Sequence, residues 1–147
     1  VLDADALQPD IVAALEGPAV LTPHLGEMAR ISGTLAEAIT PESVHADVKS
    51  NDFRHTVLLK GPLTWITDEK RLYVSPFGSP VLAKGGSGDL LTGLLGGLLA
   101  QGRKPFDAAS MAAAWHGQTS EYLARNRGQT AATVTLLLNY LHEPLRP

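Results

Sequence analysis

The sequence predicts an α/β fold: a mainly parallel sheet flanked by helices, with an appended hairpin. Three observations lead there. Short apolar runs alternate with helix-length segments through the first half of the chain, two strand-like runs flank a polar turn at its middle, and the last third reads as successive helices. Val1 to Asp3 reads as a short buried strand. Pro9 opens a helix that would bury Ile11, Val12 and Leu15 and stop at Gly17. Ala19-Val20-Leu21 forms a second strand ending at Thr22-Pro23, and a helix through Glu27, Met28 and Ile31 runs to Gly33. Thr40-Pro41-Glu42 starts another helix, and His55 to Lys60 has the β-branched and apolar character of a central strand. Leu63 to Thr67 and Arg71 to Val74 flank Asp68-Glu69-Lys70 and predict a hairpin with an antiparallel edge. Asp89 to Gln101 reads as a helix apolar almost all round, hence buried. Two more helices follow, from Pro105 to about Arg127 before Gly128, and from Thr130 to His142 before Pro144.

Composition narrows the function classes. The 147 residues, 44% hydrophobic and 18% charged, fit one globular domain. Twelve Lys and Arg against fifteen Asp and Glu give a formal charge of −3, so there is no basic excess for a run of nucleic-acid phosphates. Zero cysteines remove disulfides, thiolate metal sites and a Cys nucleophile, which suits a reducing compartment and makes the cytoplasm the expected location. The longest apolar stretch, Leu90 to Ala100, is broken by Gly93, Gly96 and Gly97 and falls short of the roughly 20 residues that span a bilayer. No repeat or low-complexity tract appears. The chain opens directly on Val1-Leu2-Asp3-Ala4-Asp5, and its strands are few for so apolar a helix, which points to the later part of a longer protein whose first strands are missing here.

The chemistry concentrates in Lys84-Gly85-Gly86-Ser87-Gly88-Asp89. Glycines can offer consecutive backbone N–H groups to an anion, and a helix starting there adds its positive dipole end, so the loop is built to hold a phosphate. Where a P-loop has Lys after its last glycine, this chain has Asp89, which would repel a resting anion but could take a proton from a hydroxyl attacking a phosphoryl group. The residues alone equally describe a glycine-rich turn in which Asp89 caps the helix. Asp3 and Asp5, alternating on one strand, would face opposite ways, so at most one looks into a site, with a role that is structural or that supports a contacting residue from behind. His116 reads as a packed helix residue, and His45, His55 and His142 lack a metal-ligand spacing.

The segments Val1 to Leu7, Leu21-Thr22-Pro23-His24-Leu25-Gly26-Glu27-Met28, Leu58-Leu59-Lys60-Gly61 with Thr64, and Gly86 to Gly93 occur in the order seen in NAD(P)H-hydrate dehydratases, and the chain resembles that family over nearly its whole length. The resemblance implies a ribokinase-like fold, with residues 1–147 as the C-terminal portion of a single nucleotide-binding domain. It implies that hydrated NADH and NADPH are returned to NAD(P)H by phosphorylation of the hydrate hydroxyl and elimination of phosphate, a metabolite-repair lyase reaction. His24 would lie at the hydrated nicotinamide. Lys60, Gly61, Pro62, Leu63, Thr64 and Gly88 would bind the adenine nucleotide, Asp89 would contact the substrate hydroxyl as base, and the amides of Gly86, Ser87 and Gly88 would form the anion hole. Mg²⁺ would bridge nucleotide phosphates without a dedicated protein cage, so no metal motif is expected. The loop looks like the bacterial form, which favours ADP over ATP as phosphoryl donor. A homo-oligomer, with a tetramer as one form, is the assembly expected, with neither nucleic acid nor membrane as partner.

This sequence departs from the family at three places: Leu25 stands for the usual Pro, Lys84 for a small or hydroxyl residue, and Thr133 for a common Asp. Lys84 could add a phosphate contact or alter the mouth of the site. Two alternatives stand beside the main reading: a ribokinase-like kinase for a vitamin precursor or sugar, and an inactive nucleotide-binding fragment. The Thr22-Pro23-His24 segment with Gly26-Glu27 argues against the kinase, and an intact mass tests the fragment.

Overall fold

The computed structural model describes residues 1–50, 55–130 and 132–145. In chain order the elements are α1 (Pro9–Ala13), β1 (Val20–Leu21), α2 (Leu25–Ser32), α3 (Pro41–Ser50), β2 (Thr56–Leu59), β3 (Thr64–Thr67), β4 (Leu72–Ser75), α4 (Ser87–Ala100), α5 (Pro105–Arg127) and α6 (Val134–Asn139). The described strands form one sheet in the order β1-β2-β3-β4. β1 and β2 pair in parallel, and the hairpin β3–β4 adds antiparallel, so the sheet is mixed. Parallel pairing continues beyond the strands through bridges between Leu2 and Leu21 and between His24 and Lys60.

Alternation along the strands sorts side chains to two faces. Leu58, Val20 and Ile66 pack with Leu91, Leu95 and Leu98 of α4 and with Phe106, Ala109 and Ala113 of α5. Val57 and Leu59, on the opposite face, pack with Met28 of α2 and Val44 and Val48 of α3. All four β2 residues are buried, as a strand covered on both faces requires. α2 has a capping box at His24 and Glu27 and stops at Gly33, whose φ is 68°.

Several expectations change in detail. Val1 to Asp3 contributes only the Leu2 bridge, because the chain turns at once into a 3-10 segment at Ala4–Ala6, with Ala4 at φ 51°. Ile11 is exposed while Val12 is buried, since α1 has too few residues to present more than a narrow inner stripe. α4 is not buried all round: Asp89, Gly93, Gly97 and Ala100 lie on an exposed face with little or no apolar side chain to cover. The last helix is shorter than Thr130 to His142; Thr133 supplies the N-cap, accepting a hydrogen bond from the Leu136 amide at 3.2 Å, and residue 131 lies outside the described residues. No described helix is long and apolar enough to cross a membrane.

α5 approaches the loop before α4 closely because it carries Gly117. A Cβ there would sit 2.6 Å from the carbonyl oxygen of Phe77. Alanine gains at most about 1 kcal/mol of helix propensity over glycine, whereas overpacking at backbone contact costs about 1–3 kcal/mol, so the clash outweighs propensity. Gly117→Ala is therefore expected to destabilise the protein by about 1–2 kcal/mol, read as a lowered urea midpoint at unchanged slope. A midpoint at or above the wild-type value would show that the Phe77 loop is free to move away.

Candidate active site

The parallel pair β1–β2 places its carboxyl ends beside the start of α4, the position where open α/β sheets bind ligands. At β1 the chain leaves through Thr22-Pro23 to His24, and the Lys60 amide donates to the Pro23 carbonyl at 2.7 Å. His24 and Lys60 are thus neighbours at the sheet's edge, although far apart in sequence. A cleft of about 710 Å³ opens here, lined by His24, Lys60, Gly61, Pro62, Thr64, Ser87, Gly88 and His116 together with the Phe77–Pro80 loop.

His24 is the N-cap of α2. The Glu27 amide donates to its Nδ1 at 3.2 Å, and its own amide donates to Glu27 Oε2 at 2.8 Å. The acceptor role of Nδ1 assigns the ring proton to Nε2, which lies 3.4 Å from Glu27 Oε1. A Cβ on Gly26 would come within 3.1 Å of the imidazole, so a residue without a side chain keeps the ring in place. His24 is exposed at the start of α2 and lines the cleft.

Lys60 ends β2 with its ammonium 2.7 Å from Asp3 Oδ1 and 3.7 Å from Glu27 Oε2. Thr92 of α4 donates to Asp3 Oδ2 at 2.9 Å. Burial pushes the Asp3 carboxyl up, but hydrogen bonds from Lys60, Thr22 and Thr92 and the charge of Lys60 outweigh it, so its pKa lies below the ordinary carboxylate value. Asp3 does not share a strand with Asp5, because the turn at Ala4 separates them, and Asp5 is exposed.

At the start of α4, Gly86 serves as N-cap at φ 86°, a left-handed conformation that glycine adopts freely. Ser87 donates its amide to the Lys84 carbonyl at 3.2 Å, so this member of the expected anion hole is already engaged. The amides of Gly86, Gly88 and Asp89 have no hydrogen bond among the described residues and stay available to an anion. Gly88 faces the cleft: a Cβ there would lie 3.6 Å from Lys60 Nζ and 3.7 Å from Asp3 Oδ2. Asp89, one step further round the helix, is exposed outside the cleft lining, with no hydrogen bond or ion pair among the described residues. It does not cap the helix, since the Gly86 cap has no side-chain bond. Leu63, also exposed, and Gly86 lie outside the lining as well.

Lys84 makes no approach to the cleft, because its ammonium donates to the carbonyls of Thr130 and Ala132 and ties the glycine loop to the segment before α6. Sequence reasoning underrated His116. It is only 4% exposed yet lines the cleft, with Nε2 3.3 Å from Ser87 Oγ. Burial pushes its pKa down to about 4, so near neutral pH it is an uncharged wall of the site. The adjacent Gly117, where the helix meets the Phe77 backbone, was the available signal.

These features describe a mixed α/β sheet with a cleft at the carboxyl ends of its parallel strands, and solved structures place the fold in the ribokinase-like class. The ADP/ATP-dependent NAD(P)H-hydrate dehydratase from Bacillus subtilis, co-crystallised with ATP and Mg²⁺, superposes with a TM-score of 0.83 at 30% identity, covering 97% of this chain and 52% of that one. A ribokinase-like superfamily protein from Enterococcus faecalis gives 0.74 at 26% identity, over 96% and 51%. The NAD(P)H-hydrate dehydratase family model matches residues 1–143, and the chain belongs to that family. The bifunctional NAD(P)H-hydrate repair enzyme Nnr of Moorella thermoacetica is 41% identical over 99% of this chain and 29% of its own length. The ADP-dependent (S)-NAD(P)H-hydrate dehydratase of Nitrosopumilus maritimus is 34% identical over 92% and 48%. The chain thus spans about half or less of the length of these relatives.

His116 also sets a pH dependence. With the folded pKa near 4 and the unfolded value at 6.5, the unfolded chain binds more protons between these limits, so stability falls as pH drops from about 6.5 to 4. The group's share is about 3 kcal/mol over that window. His116→Gln should show a shallower decline than wild type in urea unfolding across this range; parallel slopes would mean that the imidazole is not held neutral.

Proposed function

We propose that the protein carrying this chain dehydrates hydrated NADH and NADPH, with ADP as phosphoryl donor. The observation that carries this reading is the meeting of the α4 N-terminus, Lys60 and His24 at one cleft in a chain of this family. Residues 1–147 would be the C-terminal portion of a single ribokinase-like domain, a reading supported by the share of the relatives' length that they cover.

The residues present fit a nucleotide phosphate. Unpaired amides at a helix start, a lysine beside them and a glycine whose missing Cβ leaves room for an anion are the elements of a phosphate cradle. Lys60, Gly61, Pro62, Thr64 and Gly88 would hold the nucleotide, with Leu63 shaping the outer side of the turn, and the amides beside Ser87 would stabilise charge on the transferring phosphoryl group. His24 would orient the hydrate through its Nε2–H. Asp89 would take the hydrate's hydroxyl proton as that oxygen bonds to the terminal phosphorus and the nucleotide's bridging bond breaks. Phosphate then leaves with the electron pair of the C–O bond, the ring nitrogen supporting the developing charge, while the neighbouring ring carbon gives up a proton to restore the double bond. Among the described residues no group of three or more His, Cys, Asp or Glu could hold a metal, and a bound Mg²⁺, held by phosphate and water, would offset phosphate charge. ADP is preferred because the Nitrosopumilus relative is named ADP-dependent, although the Bacillus one is named for both nucleotides. A cytoplasmic homo-oligomer, with a tetramer as one form, completes the reading on the family resemblance.

The test supplies NADPH hydrate and Mg²⁺ with ADP, with ATP or with neither, at the protein's full natural length, and follows the near-ultraviolet absorbance of the reduced nicotinamide. ADP should give the fastest recovery; equal rates in all three would remove the proposal, and a faster rate with ATP would overturn the choice of donor. Asp89→Asn should slow turnover by about 10²–10⁴, the usual contribution of a positioned base, while ADP affinity and melting temperature stay near wild type. Near-normal turnover in that variant would assign proton removal elsewhere.

A further inference from the structure

We propose that Asp3 is a positioning residue that stations the Lys60 ammonium at the phosphate cradle. The inference rests on the reading of Lys60 as a nucleotide contact. A lysine ends in a compact charge on a flexible four-carbon stem, and fixing it costs rotamer entropy that binding must otherwise supply. In this structure the protein's own contacts hold the ammonium. Lys60 Nζ donates to Asp3 Oδ1 at 2.7 Å, and Thr92 of α4 holds Oδ2 at 2.9 Å, so one carboxylate joins the end of β2 to the helix that carries the glycine loop. The ammonium is thereby held 3.6 Å from where a Cβ on Gly88 would stand.

Glu27 does not do the same work. Its nearest oxygen is 3.7 Å from Lys60 and already accepts the His24 amide at 2.8 Å. The backbone after Asp3 is built to keep the carboxylate where it is. Ala4 sits at φ 51°, a conformation that costs a non-glycine residue energy, and Arg30 donates to the carbonyls of Ala4 and Leu7, fixing the turn. Asp3 is therefore set by three segments, the Leu2 bridge before it, the pinned turn after it and the α4 hydroxyl beside it. Its negative charge also screens the lysine from the phosphate it would bind. The two effects oppose, and the proposal is that orientation wins.

The experiment is a double-mutant cycle read by calorimetry with Mg²⁺ and ADP, on the protein at its full natural length, with Asp3→Asn, Lys60→Met and the pair. Asp3→Asn keeps size and an acceptor but removes the charge that fixes the ammonium. It should weaken ADP about five- to thirtyfold and leave KM for the hydrate within about twofold. Lys60→Met should weaken ADP more, and the double variant should match Lys60→Met alone. A merely structural role for Asp3 would instead lower affinity further in the Lys60→Met background, and that additivity would overturn the proposal. Unchanged or tighter ADP binding by Asp3→Asn, with Lys60→Met still impaired, would overturn it too and leave the nucleotide reading intact. Undiminished ADP affinity in Lys60→Met would overturn both.

Discussion

The close seating of α5 on the sheet is the constraint on which the rest of the structure depends. Ala109, Ala112 and Ala113 share one core cluster with Leu58 and Ile66 and present almost no side chain to them, so the helix lies near the strands, with Leu91, Leu95 and Leu98 of α4 in the same cluster. Farther along the same helix, the missing side chain of Gly117 lets the Phe77 backbone rest on it, and His116 becomes a wall of the cleft. The loop is held there by polar bonds as well: the Gly78 amide donates to Glu121, and Ser79 Oγ donates to the Ser120 carbonyl at 3.2 Å. The small residues of α5 thus seat the Phe77–Pro80 loop and His116 along one side of the cleft.

The same packing explains why α4 can be so apolar and yet incompletely covered. Leu91, Leu95 and Leu98 fill the space below α5, and the glycines between them fall on the outer side, where they expose backbone rather than side chains. What the helix contributes to the site is its first turn. Its amides need no charged side chain to attract an anion, and Asp89 in that turn is compatible with the dipole while standing clear of the phosphate position.

Much of the fold was legible because local signals and tertiary demands agree. α5 runs from Pro105 to Arg127 as Pro and Gly marked it, and α2 stops at Gly33 for the same reason. Disagreement arose where a segment is too short for its pattern to bind it. Val1 to Asp3 has strand composition, but the turn at Ala4 limits it to one bridge, and α1 cannot hide Ile11. Among site residues, His24, Lys60 and Gly88 carry motifs that a single sequence exhibits. Asp3 lies in the family-like segment Val1 to Leu7, but what makes it and His116 part of the site is contact between segments remote in the chain, and no spacing rule encodes a bond from Thr92 to Asp3.

Lys84 shows the converse, a residue whose charge invites a role that its geometry refuses. A lysine next to a glycine loop suggests a phosphate ligand, yet its ammonium is taken by two carbonyls before α6, which are acceptors without competing anions. A lysine so held orders the loop from behind, where the family's smaller residue would leave those carbonyls to other donors. In the proposed reading the positive charge at the cradle comes from Lys60, whose ammonium is paired with the carboxylate of the chain's third residue. Lys60 and the glycine loop reach the cleft from different segments, so the cleft forms only once β1, β2 and α4 are packed together. In a chain that folds this way, binding at the cradle reports on the sheet's assembly as directly as any core contact does.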